Sequence, residues 1–266
     1  MKQIGLGNTA EIYLLDQKRV LKLFREGIPE SIVKDEFEKS YFIESIITNT
    51  PKAYELMHLE NRAGIVYSKV EGYDMIKVML RSVHRINFYS KRLADMHLEL
   101  HKHSSQHEQF NLSQKLNNDI NATDLLDSTT KKKIQKYINQ LPQGNSLCHF
   151  DFHPGNIMLE DQNHPIIIDW MTACIGNKYA DVARTYLLLT YGELPHANFI
   201  VNRVINFFQK YIAKIYLDEY IKQSGAQLSE IKQWMLPVAA ARLHEWLSPN
   251  EREKLLSLIH QELEKD

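Results

Sequence analysis

At 266 residues, 44% hydrophobic and 24% charged, the chain can form one large domain or two modest ones with ample apolar core. A formal net charge of −1 provides no global field to favour nucleic acid or an anionic membrane. Two cysteines make a poor disulfide framework at this length, so Cys148 and Cys174 are expected as buried thiols in a reducing cytosol. MKQIGLGNTAEIY has no apolar leader character and no run reaches the ~18 apolar residues of a membrane span; a cytoplasmic protein is expected, its oligomeric state open.

In chain order, residues around Ile4, then 12–15 and 20–24, alternate as strands, with Gly5-Leu6-Gly7-Asn8-Thr9-Ala10 between the first two. Such a Gly-x-Gly fits a tight hairpin turn, and equally a loop whose amides approach phosphate oxygens. Lys22 lies in the third strand with apolar neighbours on both sides. Pro29 opens a helix expected to run to about Thr48. On it Glu36 shares a stripe with Ser40, Ile43 and Ile47, so its carboxylate turns inward and needs a partner. Lys22 is the natural one, and Glu38, one face round, is the alternative carboxylate. Residues 51–57 and 64–70 read as two further strands, and Gly72 marks a boundary.

Beyond about Met75 the pattern turns helical. Ile86, Tyr89, Leu93, Met96, His97 and Leu100 share one face, which predicts a core helix over 84–101. His97, His101, His103 and His107 offer imidazoles, but no Cys or carboxylate cluster stands beside them in sequence, so a metal site is not the expected reading. Residues 113–140 are polar and Lys-rich and suit solvated helices or a cover over an acceptor site.

The stretch LCHFDFHPGNIMLEDQNHPIIIDW, residues 147–170, carries the chemistry. Two short β-branched runs, 157–160 and 165–168, flank Asp161-Gln162-Asn163-His164, which is a hairpin signal. The residue entering the first strand of an antiparallel hairpin lies opposite the one leaving the second, so Asn156 and Asp169 should sit side by side at its open end. Asp151 lies on the Gly/Pro-containing loop approaching the same end. Two oxygen ligands beside a further carboxylate suit Mg²⁺ and a group that orients an attacking hydroxyl. Downstream, residues 185–191 read as an apolar helix, for which Asp181 is either an N-cap or a brace hydrogen-bonded to the catalytic-loop backbone. Residues 195–264 read as further amphipathic helices.

His149-x-Asp151-x-x-x-x-Asn156 followed by Asp169 resembles the catalytic loop and metal-binding aspartate of the protein-kinase-like fold. In detail, His-x-Asp-x-His-Pro-Gly-Asn and Ile-Asp-Trp resemble the aminoglycoside phosphotransferase and choline kinase-like superfamily of small-molecule kinases. The resemblance implies an α+β, two-lobed fold. Residues 1–71 would form a nucleotide-binding lobe, a small antiparallel sheet with one key helix, and 72–266 a larger, mainly helical catalytic and acceptor-binding lobe. It places ATP (or GTP) between the lobes, with Gly5, Gly7, Asn8 and Thr9 at the phosphates and Lys22, aligned by Glu36, on the α- and β-phosphates. Backbone groups of Ser68 and Val70 would hold the adenine edge, Asn156 and Asp169 Mg²⁺, and Asp151 the acceptor hydroxyl of a small molecule. Ala10 stands where the protein-kinase loop has a third glycine.

Three rivals remain. A protein kinase would need an activation segment, yet only residues 170–180 separate Asp169 from Asp181, and no Arg precedes Asp151. A non-enzymatic nucleotide-binding pseudokinase would keep the binding parts without turnover. A metallohydrolase built on His149, Asp151 and His153 would need further ligands that are not evident in the sequence.

Overall fold

The alternation of the first seventy residues becomes a five-stranded antiparallel sheet in the computed structural model, which describes residues 1–7, 9–160, 164–193 and 199–265, with the backbone alone at 108 and 199–205. Its strands are β1 (Lys2–Leu6), β2 (Ala10–Leu14), β3 (Arg19–Phe24), β4 (Ala53–Leu59) and β5 (Arg62–Ser68), in the order β1-β2-β3-β5-β4. Glu60, at φ 55°, turns the chain from β4 into β5, which pair from Leu59 and Arg62 upward. That two-residue turn places both strands two residues away from the expected 51–57 and 64–70. Side chains alternate across β3: Leu21 and Leu23 pack with Val66 on one face, and Phe24 packs with Ala10, Val33 and Ile65 on the other.

Helix α1 (Glu30–Glu44) covers the second face through Val33 and Phe37. It ends four residues before the expected Thr48. The amides of Ser45 and Ile46 tighten onto Phe42 and Ile43, and the β-branched and polar Thr48-Asn49-Thr50 before Pro51 does not continue the helix.

Two compact units hold these elements. The first is Met1–Arg81 with Pro154–Thr172, the second Ser82–His153 with Ala173–Asp266. Besides the five-stranded sheet, the first holds β6 (Tyr73–Asp74), α2 (Met75–Arg81) and a hairpin of β8 (Ile157–Leu159) and β9 (Pro165–Ile167), which form a second sheet in the order β6-β8-β9. Gly72 enters β6 at φ 95°, and a Cβ there would lie 2.1 Å from the Leu159 carbonyl oxygen, so only glycine fits.

The second unit contains α3 (Ile86–Leu100), α4 (Leu112–Ala122), α5 (Ser128–Ile138), β7 (Ser146–Cys148), β10 (Cys174–Gly176), α6 (Lys178–Tyr191), α7 (Phe199–Ser224), α8 (Leu228–Lys232), α9 (Met235–Arg242) and α10 (Pro249–Leu263). The polar 113–140 stretch is two amphipathic helices, burying Leu116 and Ile120 from α4 and Ile134 and Ile138 from α5. Helix α6 begins seven residues before the expected 185, because the Asn177 side chain accepts from the Tyr179 amide and caps it. Among the described residues, no helix is long and apolar enough to cross a membrane.

Candidate active site

In the first unit, β3 and α1 bring Lys22 and Glu36 together. Lys22 Nζ lies 2.6 Å from Glu36 Oε1 and 2.7 Å from Asp169 Oδ1, and the lysine is only 8% exposed. Burial alone would push the lysine down; the Asp169 and Glu36 carboxylates outweigh it and hold Lys22 well above its usual value. Glu36 Oε1 also accepts from the Tyr67 hydroxyl at 3.1 Å, and Tyr67 in turn meets Ser40 Oγ at 2.8 Å. Glu36, rather than Glu38, is therefore the carboxylate on Lys22. Tyr67 went unnoticed in the sequence, although it shares β5 with the adenine-edge candidate Ser68.

The hairpin places Asn156 and Asp169 at one end. Ile157 pairs with Ile167, and the Ile168 amide donates to the Asn156 carbonyl at 3.0 Å, so Ile168 stands opposite Asn156 and Asp169 lies one residue beyond that rung, not directly beside Asn156 as expected. Asn156 is buried, while Asp169, at φ 67°, leaves its side chain 37% exposed. An amide oxygen beside a carboxylate, with no thiolate or imidazole in the pair, suits a hard cation such as Mg²⁺.

The glycine loop is a hairpin turn in this structure. The Gly7 amide donates to the Ala10 carbonyl at 2.8 Å, and the Arg25 guanidinium reaches the Gly7 carbonyl at 3.0 Å. The Thr9 carbonyl accepts from the Arg25 amide at 2.9 Å, Gly5 lies within β1, and Asn8 falls outside the described residues. At the end of β5 the Ser68 amide is committed to the Lys52 carbonyl at 2.8 Å. A share for Ser68 in holding an adenine edge would thus fall to its carbonyl. Among the described residues no backbone bond outside the strands engages the Val70 amide.

Asp151 belongs to the second unit and is held by a different set of groups. Its amide donates to His149 Nδ1 at 3.2 Å; its carboxylate oxygens lie 3.5 Å from His153 Nε2 and 3.7 Å from the Arg184 guanidinium. Burial would raise the Asp151 carboxyl, but His153, then Arg184 and His149, outweigh it and keep it well below the ordinary carboxylate range. Phe150, just before it, is buried at φ 61°, a left-handed conformation unusual for a bulky residue.

That conformation is enforced from α6. Asp181 accepts the His149 amide at 2.7 Å and the Phe150 amide at 2.9 Å, which settles its role as the brace of the loop, with Asn177 as the cap. His97 Nε2 and His101 Nε2 approach the same carboxylate at 3.0 and 3.3 Å, while their Nδ1 atoms meet the Tyr216 and Tyr220 hydroxyls. The carboxylate missing beside the histidines in sequence thus arrives eighty residues later.

Burial and the neighbouring His97 push His101 down to about 4. Between that value and ~6.5 the unfolded chain binds a proton that the folded chain refuses, so stability falls as pH drops through this window. The Asp181 carboxyl, held low against burial by His97 and His101, pulls in the same direction further into acid. The wild type's unfolding free energy, from urea titrations, should therefore fall between pH 6.5 and 4 by roughly 2–3 kcal/mol, and His101→Gln should flatten that limb. An unchanged acid limb in the variant would count against the buried neutral imidazole.

Solved structures similar to this chain include aminoglycoside phosphotransferases and choline kinases. The chain matches aminoglycoside phosphotransferase APH(4)-Ia with a TM-score of 0.65 at 11% identity, covering 98% of this chain and 91% of that one. It matches an aminoglycoside-3'-phosphotransferase of type VIII at 0.60 and 17% identity, covering 91% and 90%. The choline kinase LicA from Streptococcus pneumoniae matches at 0.59 and 12% identity, covering 100% and 93%. At these identities the likeness establishes a protein-kinase-like fold. No curated protein matches the chain. Residues 1–211 match the model of the phosphotransferase enzyme family, and the chain belongs to that family. As a member of it, the chain is a phosphotransferase enzyme.

Proposed function

We propose that the chain moves the γ-phosphoryl group of ATP or GTP, with Mg²⁺, to a hydroxyl of a small molecule in the manner of the aminoglycoside phosphotransferases. The observation that carries this reading is Lys22, buried and held between Glu36 and Asp169. A cation so fixed is a ready clamp for α- and β-phosphate oxygens, and Asp169 is then free to turn to a metal. Two solved relatives support nucleotide use by their own contents: aminoglycoside phosphotransferase APH(2'')-Ib has ADP bound, and APH(2")-IIa forms a complex with streptomycin and ATP.

On this reading residues 1–71 serve the nucleotide and 72–266 the chemistry and the acceptor, although the hairpin carrying Asn156 and Asp169 packs with the first compact unit. Asn156 and Asp169 hold Mg²⁺, which offsets the charge developing on the transferred phosphoryl. Gly5, Gly7, Asn8 and Thr9 line the phosphates once the Gly7 amide leaves Ala10, and the Ser68 carbonyl and Val70 amide take the adenine edge. Asp151, ionised and fixed by its loop, accepts the hydrogen bond of the acceptor hydroxyl and aims its oxygen at the phosphorus. The work is done in the cytoplasm on a soluble acceptor, without nucleic acid or membrane.

The experiment is nucleoside diphosphate release from Mg²⁺-ATP and Mg²⁺-GTP across aminoglycosides, macrolides, amino alcohols and sugars. Release that requires one acceptor class and stops when Mg²⁺ is chelated is expected. Nucleotide binding with no release on any acceptor would turn the reading towards a non-enzymatic regulator.

A further inference from the structure

Arg184 has no part in the roles assigned above, yet each nitrogen of its guanidinium has a separate task. It is 4% exposed, one turn after Asp181 on α6. Its Nε donates to the Phe150 carbonyl at 2.5 Å, one terminal nitrogen pairs with Glu245, and the other lies 3.7 Å from Asp151 Oδ1. The guanidinium also sits over the Phe150 ring, 5.4 Å from its centroid. Asp181 holds the Phe150 N–H and Arg184 its C=O, so two residues on one face of α6 grip this left-handed residue from both sides. Glu245 is anchored in turn by Arg242, whose Nε lies 3.3 Å away and whose terminal nitrogen pairs with Glu251.

We propose that Arg184 is the positioning residue of the acceptor-orienting carboxylate, pinning the Phe150 peptide and holding Asp151 in one guanidinium fork with Glu245 as its counter-anchor. The proposal rests on Asp151 acting on the acceptor hydroxyl. Three partners in three directions are a task for a planar guanidinium; an ammonium on a flexible stem offers the charge without the span. Lysine at 184 should therefore restore the electrostatics at Asp151 and not its placement.

Two readouts on the full chain need no knowledge of the acceptor. The first is the ¹³C-carboxyl titration of Asp151, assigned through Asp151→Asn; the second is ADP release from Mg²⁺-ATP with water as the phosphoryl acceptor. In Arg184→Gln, Asp151 should titrate higher by about one unit or more, ADP release should slow at least about tenfold, and ATP affinity should stay within about twofold. Arg184→Lys should return the titration towards wild type while ADP release stays slow. Should Arg184→Gln fail to fold, Arg184→Lys and Glu245→Gln carry the test, both expected to slow release with ATP affinity kept. A folded Arg184→Gln with unchanged Asp151 titration and unchanged release overturns the proposal. ADP release undiminished in Asp151→Asn overturns the role of Asp151 itself, a different result from failure at Arg184 alone.

Discussion

Asp151→Asn is expected to lower acceptor-dependent phosphate transfer by about 10²–10⁴-fold while leaving nucleotide affinity within a small factor. Asparagine keeps the size of the side chain and its place after Phe150. It removes the charge that His153 and Arg184 surround and exchanges an acceptor oxygen for a donor nitrogen. The hydroxyl of the acceptor then loses the hydrogen bond that aims it, and with it the near-attack geometry that phosphoryl transfer depends on. The loss should fall on kcat, measured with whichever acceptor supports release, and the unfolding midpoint should move little. A variant that keeps wild-type kcat would remove Asp151 from the chemistry. One that loses nucleotide binding instead would make it part of the nucleotide site.

The features legible in the sequence are those that follow from short periods. A period of two places Lys22 inside a strand, a period near 3.6 turns Glu36 inward, and their meeting follows from the cost of burying either alone. The hairpin that brings Asn156 and Asp169 to one end needed only a turn and the antiparallel rule, but the register was one residue off, since Ile168 stands opposite Asn156. The framework behind Asp151 was legible only in part, since Asp181 read equally as an N-cap or as the brace of the loop. Asp181 is joined to its loop through backbone amides, which every residue possesses, and His97 and His101 reach it from another helix. Arg184 reads as one more charged residue entering an apolar helix until Phe150 is seen in its left-handed turn. One local signal was overlooked: Asn177, a good cap residue, marks where α6 begins. The glycine loop shows the opposite limit, since Gly-x-Gly permits both the hairpin turn seen here and a phosphate cradle.

Lys22→Met should abolish productive nucleotide binding and also destabilise the protein, and the second effect separates cleanly from the first. Lys22 is the cation between Glu36 and Asp169, so its removal leaves Glu36 buried with Tyr67 as its remaining donor among the contacts described above. Breaking one side of such a pair costs about 3–5 kcal/mol, because the surviving charge has lost its compensation. Burial already pushes the Glu36 carboxyl up against the pull of Lys22; without the lysine it rises further. A carboxyl raised above its unfolded value contributes its stability below the unfolded value and loses it as pH climbs through the folded one. The deficit of Lys22→Met in urea should thus be larger at pH 8 than at pH 5. Adding Glu36→Leu should recover most of the stability and none of the nucleotide binding, since two apolar groups replace the pair while the phosphate clamp stays absent. Calorimetric binding of Mg²⁺-ATP beside urea unfolding of the single and double variants decides it. A double variant that binds nucleotide like the wild type would place the phosphates elsewhere and leave the Lys22–Glu36 pair with a purely structural role.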